Sequence, residues 1–120
     1  MSSRLQRKNN VVVSVITTTY NSLEFLPATI ASIQKQSYQE YEHIIVDDGS
    51  TDGTSDFLET IIDERIKVIK LTRLGRAQAL NIGIAKTSGE YIAILDADDL
   101  SSPHRLKIQA NFLDDNQDCM

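Results

Sequence analysis

The sequence predicts an α/β fold: a Rossmann-like, mostly parallel sheet with helices on both faces. Strand-like apolar runs alternate with segments of helical periodicity in the order β-α-β-α-β-α-β-α. The connections between them are short, which favours parallel strands joined by right-handed crossovers. Two of the apolar runs end abruptly in clusters of aspartates. Because ligands bind at the carboxyl edge of such a sheet, these clusters are the first candidates for a functional site.

Length and composition indicate one globular domain. The chain has 120 residues, of which 41% are hydrophobic, and its net charge of −5 argues against nucleic acid as a partner. No apolar stretch reaches the roughly 20 residues of a membrane-spanning helix, and the N-terminus does not match a signal peptide. The single cysteine excludes an internal disulfide. We therefore expect a cytoplasmic protein, with a peripheral location at the inner face of the membrane as the alternative.

The first half of the chain contains two predicted strands. Continuous Val and Ile over 11–17 indicate a strand that is buried on both faces. The following helix begins between Asn21 and Pro27, because proline is tolerated only in the first turn. The second strand is predicted over 41–46, and the Asp-Gly pairs of 47–53 indicate a loop.

The second half repeats the alternation. Thr54 is predicted to cap a short helix, and 65–71 contains the third strand. A third helix opens at Gly75. The fourth strand, 92–95, is predicted to be buried and to stop at Asp96, because aspartate is a poor strand residue. The residues expected to face the sheet from the third helix are Ala77, Leu80 and Ile84.

The ends of the chain complete the predicted organisation. Residues 1–10 form a polar extension, and 11–120 form the domain. Ser102 and Pro103 begin a last helix, as a cap followed by proline at the first helical position. The chain then stops where another strand could begin, so we expect a truncated domain.

The aspartates that follow strands two and four suggest a metal site. They are Asp47 and Asp48 after the second strand, and Asp96 and Asp98 after the fourth. Mg²⁺ and Mn²⁺ prefer oxygen ligands and often combine one or two carboxylates with substrate phosphates. Carboxylates alone repel phosphates, and a cation between them turns this repulsion into attraction. The plainer alternative is that these aspartates only form turns and helix caps.

Four sequence blocks resemble the family-two glycosyltransferases. One Asp-x-Asp motif is weak, but four blocks in the family's order and spacing are specific, and the resemblance extends from Val11 to about Leu113. The blocks are 13–16 with 18–21, 45–52, 75–81, and 89–92 with 95–99.

The resemblance implies a glycosyltransferase A-type fold and a nucleotide-diphosphate sugar, most often a UDP-sugar, as donor. By the family's pattern, Thr18 and Tyr20 would lie against the nucleotide base, and Asp48 would form a hydrogen bond with it. Arg76, or alternatively Arg73, would face the base or the phosphates. Asp47, beside Asp48, is expected to be structural.

The resemblance also implies a divalent cation, Mg²⁺ or Mn²⁺. Asp98 would be its direct ligand, and Asp96 would lie near the cation or the ribose. Transfer with inversion needs a base for the acceptor hydroxyl, and the family's base would come from beyond Met120. The acceptor stays open among saccharides, lipid-linked glycans and proteins. We therefore expect this chain to bind the donor weakly and to be inactive alone. An uncovered sheet edge would allow it to self-associate.

Two other functions stay open: a non-catalytic nucleotide-binding module and a nucleotidyltransferase of related fold. The second would place a glycine-rich loop after strand one, and residues 17–22 contain no glycine. Single residues have plainer interpretations as well. Tyr20 could pack on the sheet edge, and Arg76 could be a surface residue. His43 is expected to be packed rather than catalytic, and Asp52 to form a turn.

Overall fold

The computed structural model describes residues 12–98, which form four parallel strands and three helices. The sheet order is β3-β2-β1-β4. The predicted fold class and order of elements are confirmed over these residues, whereas the polar extension and the last helix lie outside them. No helix within 12–98 is both long and apolar enough to span a membrane. The elements are β1 (Val13–Thr19), α1 (Leu26–Gln34), β2 (Tyr41–Asp47), α2 (Thr54–Glu59), β3 (Ile66–Lys70), α3 (Arg76–Ala85) and β4 (Tyr91–Ile94).

One face of the sheet carries most of the core. Every residue of β2 is buried, because β2 lies between β1 and β3 and is covered on both faces. Helices α1 and α2 supply Leu26, Ile30 and Leu58, which pack around Ile45 of β2. A second cluster joins Ile33 of α1 to residues of β1, β2 and β4. The residues of α1 that face the sheet, Leu26, Ile30 and Ile33, are therefore spaced at i, i+4 and i+7.

Helix α3 covers the opposite face, but through residues other than those predicted. Ala77 and Ile84 are exposed and Leu80 is half-buried, whereas Ala79 and Gly83 are buried. Ala79 packs against Ile44 and Val46. A Cβ on Gly83 would lie 2.9 Å from Cγ2 of Ile16 and 3.1 Å from Cγ2 of Val46. The helix approaches the sheet so closely that small residues form its contact face, and apolar periodicity alone selects the wrong positions.

Strand β4 is buried on one face only within the described residues. Tyr91 and Leu95 are buried, but Ile92 and Ile94 are each 45% exposed. β4 lies at the edge of the four-strand sheet, and its isoleucines lie on the face of the sheet that α3 covers over β1 and β2. The prediction of a fully buried fourth strand was therefore wrong for that face.

The start of α2 also differs from the prediction. Thr54 is the first helical residue, and Gly53, with φ +98°, occupies the capping position. The carboxylate of Asp52 accepts hydrogen bonds from the Thr54 backbone N–H (3.0 Å) and hydroxyl (2.5 Å). Asp52 is thus the turn acid that was predicted, and it takes over the role predicted for the Thr54 side chain. An aspartate two residues before the helix fulfils the same need for an acceptor.

His43 is packed inside the sheet, as predicted. Its side chain is fully buried, and its Nε2 lies 2.8 Å from Oγ1 of Thr17 on the neighbouring strand. Burial lowers the pKa of His43 to about 4. The imidazole is therefore neutral at physiological pH and acts as a polar link between β1 and β2.

The close contact of α3 predicts the effect of Gly83→Ala. Overpacking a core costs about 1–3 kcal/mol, and the higher helix propensity of alanine offsets up to about 1 kcal/mol. We expect the free energy of unfolding in urea to fall by about 1 kcal/mol. Gln78→Ala, at an exposed position of α3, is the control and should leave stability unchanged or slightly raised. A Gly83→Ala variant as stable as the wild type would contradict the packing described for α3.

Candidate functional site

A cavity of about 370 Å³ opens at the carboxyl ends of β1, β2 and β4. The structure brings all six predicted donor-binding residues, from four separate parts of the sequence, to its lining. Which part of a donor each of these residues would bind remains a prediction. Arg73, the alternative to Arg76, lines the cavity too, as does Phe25 at the start of α1. The six residues are Thr18, Tyr20, Asp48, Arg76, Asp96 and Asp98.

Strand register explains why these residues meet. Thr19, the last residue of β1, pairs with Asp47, the last residue of β2. The Asp48 N–H continues the ladder by donating to the Thr19 carbonyl at 2.9 Å. On the other side of β1, the Leu95 N–H donates to the carbonyl of Ile16 at 3.0 Å. β1 and β2 therefore end at one level, whereas β4 ends level with Ile16. The residues that follow β4 continue to the same edge, where Asp96 and Asp98 line the cavity.

The loops after β1 and β2 are tied together at this edge. Asn21 has a left-handed backbone (φ +51°), and its side-chain oxygen accepts the N–H of Thr51 at 2.7 Å. The Asn21 N–H donates in turn to the hydroxyl of Ser50 at 2.9 Å. Asparagine tolerates this conformation better than most residues. The sequence predicts a loop over 47–53, but nothing in it indicated that Asn21 connects this loop to the end of β1.

The two aspartates after β2 have different surroundings. Asp47 accepts hydrogen bonds from the Ser50 N–H (3.1 Å) and the Ser55 hydroxyl (2.7 Å), and it does not line the cavity. It holds the loop that leads into α2. Asp48 lies on the side of α3 and does line the cavity. Successive residues of a strand point to opposite faces. Asp47 therefore contacts the loop on one side, while Asp48 lines the cavity on the other.

Asp48 is the most strongly bound acid of the cavity. Its carboxylate accepts the backbone N–H groups of Leu74 (2.7 Å) and Gly75 (3.0 Å) and the guanidinium of Arg73 (2.8 Å). Burial alone would raise the pKa of Asp48, but these three donors together hold its pKa below the usual value. Asp48 is therefore ionised at neutral pH and can only accept hydrogen bonds.

Arg73 links Asp48 to Tyr20. Its guanidinium carbon lies 3.7 Å from the centroid of the Tyr20 ring, a distance typical of a cation–π contact. The Arg73 backbone is left-handed (φ +69°) and packs against Gly49. A Cβ on Gly49 would lie 2.8 Å from the Arg73 nitrogen. The sequence indicated Arg73 only as an alternative to Arg76. Its contacts with Asp48 and Tyr20 join residues far apart in the chain, and the residues next to Arg73 do not predict them.

The acids after β4 are more open. Asp96 forms an ion pair with Arg76 at 2.8 Å, with both side chains more than half exposed. Asp98 is exposed, and its carboxylate has no hydrogen bond to another residue of 12–98. That part of the chain contains no cluster of three acidic, His or Cys side chains that could hold a metal. Two carboxylates alone fit a hard cation such as Mg²⁺ or Mn²⁺ only if a ligand supplies further oxygens.

The family model of glycosyl transferase family 2 matches residues 14–120. The chain belongs to this family. The match sets aside the nucleotidyltransferase alternative, and it agrees with the order of the four sequence blocks.

Three known proteins similar to this glycosyltransferase chain illustrate the match. TuaG of Bacillus subtilis (strain 168), a glycosyltransferase assigned to teichuronic acid biosynthesis, is 43% identical over 105 residues, which are 85% of this chain and 42% of TuaG. The crystal structure of S. aureus TarS 1-349 in complex with UDP-GlcNAc superposes with a TM-score of 0.83 at 31% identity, over 89% of this chain and 32% of that one. The mannosyltransferase PcManGT from Pyrobaculum calidifontis, in complex with GDP-Man and Mn²⁺, superposes with a TM-score of 0.78 at 32% identity, over 87% of this chain and 32% of that one. The chain thus spans well under half the length of these relatives.

The contacts of Asp48 predict a stability difference between the acids of the cavity. Asp48→Ala leaves two backbone N–H groups without their acceptor, which costs about 1–3 kcal/mol. Asp96→Ala breaks an exposed ion pair worth about 0–1 kcal/mol. Urea unfolding at pH 7 should therefore show a clearly larger loss for Asp48→Ala.

The same comparison depends on pH in a defined direction. Because the pKa of Asp48 is lowered by folding, its contribution is present above the ordinary aspartate pKa of about 4 and is lost as the pH falls below it. The stability gap between the wild type and Asp48→Ala should narrow below about pH 4. Equal losses in both variants at pH 7, or a gap that widens in acid, would contradict the contacts described.

Proposed function

We propose that residues 11–120 form the donor-binding part of a metal-dependent glycosyltransferase. The enzyme transfers a sugar from a nucleotide-diphosphate sugar, a UDP-sugar, to an acceptor hydroxyl with inversion. The observation that carries this proposal is the convergence of Tyr20, Asp48 and Asp98 on one cavity. The Tyr20 ring would stack on the face of the base, and the buried Asp48 carboxylate would accept a hydrogen bond from its edge. The exposed Asp98 carboxylate would bind the metal ion that holds the diphosphate.

The base is proposed to lie at the end of the cavity formed by β1 and β2. Tyr20 lines the cavity and is 42% exposed, and stacking of a base on its ring would be worth about 1–3 kcal/mol. Asp48, ionised and acceptor-only, suits the imide N–H of uracil. Thr18, partly exposed at the end of β1, completes this side. Among the relatives, TarS has been crystallised with UDP and with UDP-GlcNAc.

The diphosphate is proposed to lie between the end of β4 and the start of α3. Asp98, whose carboxylate has no hydrogen bond to another residue of 12–98, would be the direct ligand of Mg²⁺ or Mn²⁺, with Asp96 beside it. Such a cation neutralises the diphosphate and stabilises it as a leaving group. Arg76, at the N-terminus of the ten-residue helix α3, adds positive charge and backbone N–H groups for phosphate oxygens. PcManGT, crystallised with GDP-Man and Mn²⁺, supports a divalent cation.

The remaining functions are proposed to need more than this chain. Inversion requires a base for the acceptor hydroxyl, and we place that base beyond Met120 together with most of the acceptor site. The 120-residue chain by itself then behaves as a nucleotide-binding module without transfer activity. We propose a cytoplasmic enzyme of polysaccharide biosynthesis that acts on a saccharide, lipid-linked or protein acceptor. Within the described residues β4 is the outermost strand of the sheet, so self-association of the isolated chain through that edge is an expected side effect.

Calorimetric titration tests the donor site. UDP should bind the chain in the presence of Mn²⁺, and the affinity should fall at least about tenfold when Mn²⁺ is withheld or in Asp98→Ala, since losses of this size accompany removal of groups around a metal. GDP and dTDP, titrated alongside, establish the base preference. Asp56→Ala removes an exposed carboxylate of α2 outside the cavity and serves as the charge-matched control, with no change expected.

Two results would overturn the proposal. UDP binding that is indifferent both to Mn²⁺ and to Asp98→Ala would remove the metal–diphosphate site. Absence of binding by all three nucleotides would remove the donor site altogether. Sugar transfer catalysed by the 120-residue chain would leave the donor site in place and refute the assignment of the base to residues beyond Met120.

A further inference from the structure

Arg73 holds both groups that the proposed function assigns to the nucleotide base. Its guanidinium lies over the Tyr20 ring, 3.7 Å from the centroid, and donates to the Asp48 carboxylate at 2.8 Å. A guanidinium is planar, stacks on aromatic faces and carries N–H donors in its plane. These are the features by which a uracil ring would make the same two contacts.

The guanidinium and a base cannot both stack directly on that face of Tyr20. Stacked planar groups approach to about 3.5–4 Å, the optimal separation of non-bonded carbon atoms. The guanidinium already lies at this distance. A base that stacks on the same face and donates to Asp48 must therefore take its place.

We propose that Arg73 is an internal stand-in for the base, and that the donor's base binds by displacing the Arg73 guanidinium from Tyr20 and Asp48. This inference rests on the proposed donor site. It makes base binding an exchange, in which contacts within the protein are broken as contacts with the ligand form. Arg73 thereby lowers the affinity of the site for every base, and without a ligand its guanidinium occupies the position of the base.

The surroundings of Arg73 allow this exchange. The Arg73 side chain is 53% exposed, so it can move into solvent, whereas that of Asp48 is 3% exposed and stays in place. When the guanidinium leaves, Asp48 keeps the backbone N–H groups of Leu74 and Gly75. The turn before α3 therefore stays attached to the end of β2, and displacement requires only a side-chain rotation.

Uridine is the probe that isolates the base position, because it carries no phosphate and no charge. Arg73→Ala and Arg73→Gln both remove the guanidinium, and the second keeps much of the aliphatic stem. Removing a competing exposed cation–π contact and ion pair should raise the uridine affinity about three- to thirtyfold. An unchanged or weaker affinity in both variants would overturn the proposal.

Arg65→Ala is the matched control. Arg65 also lies over a tyrosine ring, 4.7 Å from the centroid of Tyr41, and pairs with an aspartate, Asp63. It does not line the cavity. The uridine affinity of Arg65→Ala should equal that of the wild type, which separates displacement at the site from a general effect of losing an arginine.

Salt dependence tests the same idea without any substitution. Raising NaCl from about 0.05 to about 0.5 M screens charges that are open to solvent. The Arg73 side chain is 53% exposed, so added salt weakens its ion pair with Asp48. The affinity of the wild type for neutral uridine should rise with salt, and that of Arg73→Ala should not. A wild-type affinity that falls or stays constant would contradict displacement.

UDP with Mn²⁺ separates failure of this inference from failure of the proposed function. If the wild type binds UDP while uridine binds Arg73→Ala no more tightly, displacement is refuted and the donor site stands. If neither the wild type nor Arg73→Ala binds UDP or uridine, both proposals fall.

Discussion

The carboxylate of Asp48 is the constraint on which the geometry of the cavity depends. It lies directly after β2 and accepts the N–H groups of Leu74 and Gly75, so it fixes the turn before α3 to the end of the central strands. That attachment sets where α3 begins. Arg76, the first residue of α3, is thereby placed so that its guanidinium lies 2.8 Å from the Asp96 carboxylate. The buried Asp48 carboxylate is held in one geometry by its backbone donors, whereas the exposed ion pair between Arg76 and Asp96 can adopt many geometries. The hydrogen bonds of Asp48 therefore determine the position of the turn.

The sheet treats its acids differently at its two ends. At the amino end, Glu42 is buried and accepts the Ser14 hydroxyl (2.6 Å), the Ser88 N–H (2.6 Å) and the Lys67 ammonium (2.9 Å). Burial would raise the pKa of Glu42, but these donors lower it. Glu42 is thus a saturated structural anion, whereas Asp98 at the carboxyl end has no donor from another residue of 12–98. The carboxylate of Glu42 is thus satisfied within the fold, whereas that of Asp98 is open to solvent.

Much of this arrangement could be predicted from the sequence, because strand ends and alternation are local signals. The position of the cavity follows from the aspartates, Asp47 with Asp48 and Asp96 with Asp98, that come after two apolar runs of strand length. The contact face of α3 could not be predicted, since Gly83 is chosen by the distance between helix and sheet. Arg73 was missed as a principal contact because its two partners lie 25 and 53 positions away along the sequence, and nothing in its neighbourhood records them.

Paramagnetic relaxation by Mn²⁺ tests the central claim, that separate strand ends form one metal–diphosphate site. With UDP present, Mn²⁺ should broaden the amide resonances of 96–98 most strongly and those of 18–20 next. The effect should decline along β1 toward Ser14, whose position is about 17 Å from the end of the strand at roughly 3.3 Å per residue. Broadening centred elsewhere, or equal with and without UDP, would contradict the account.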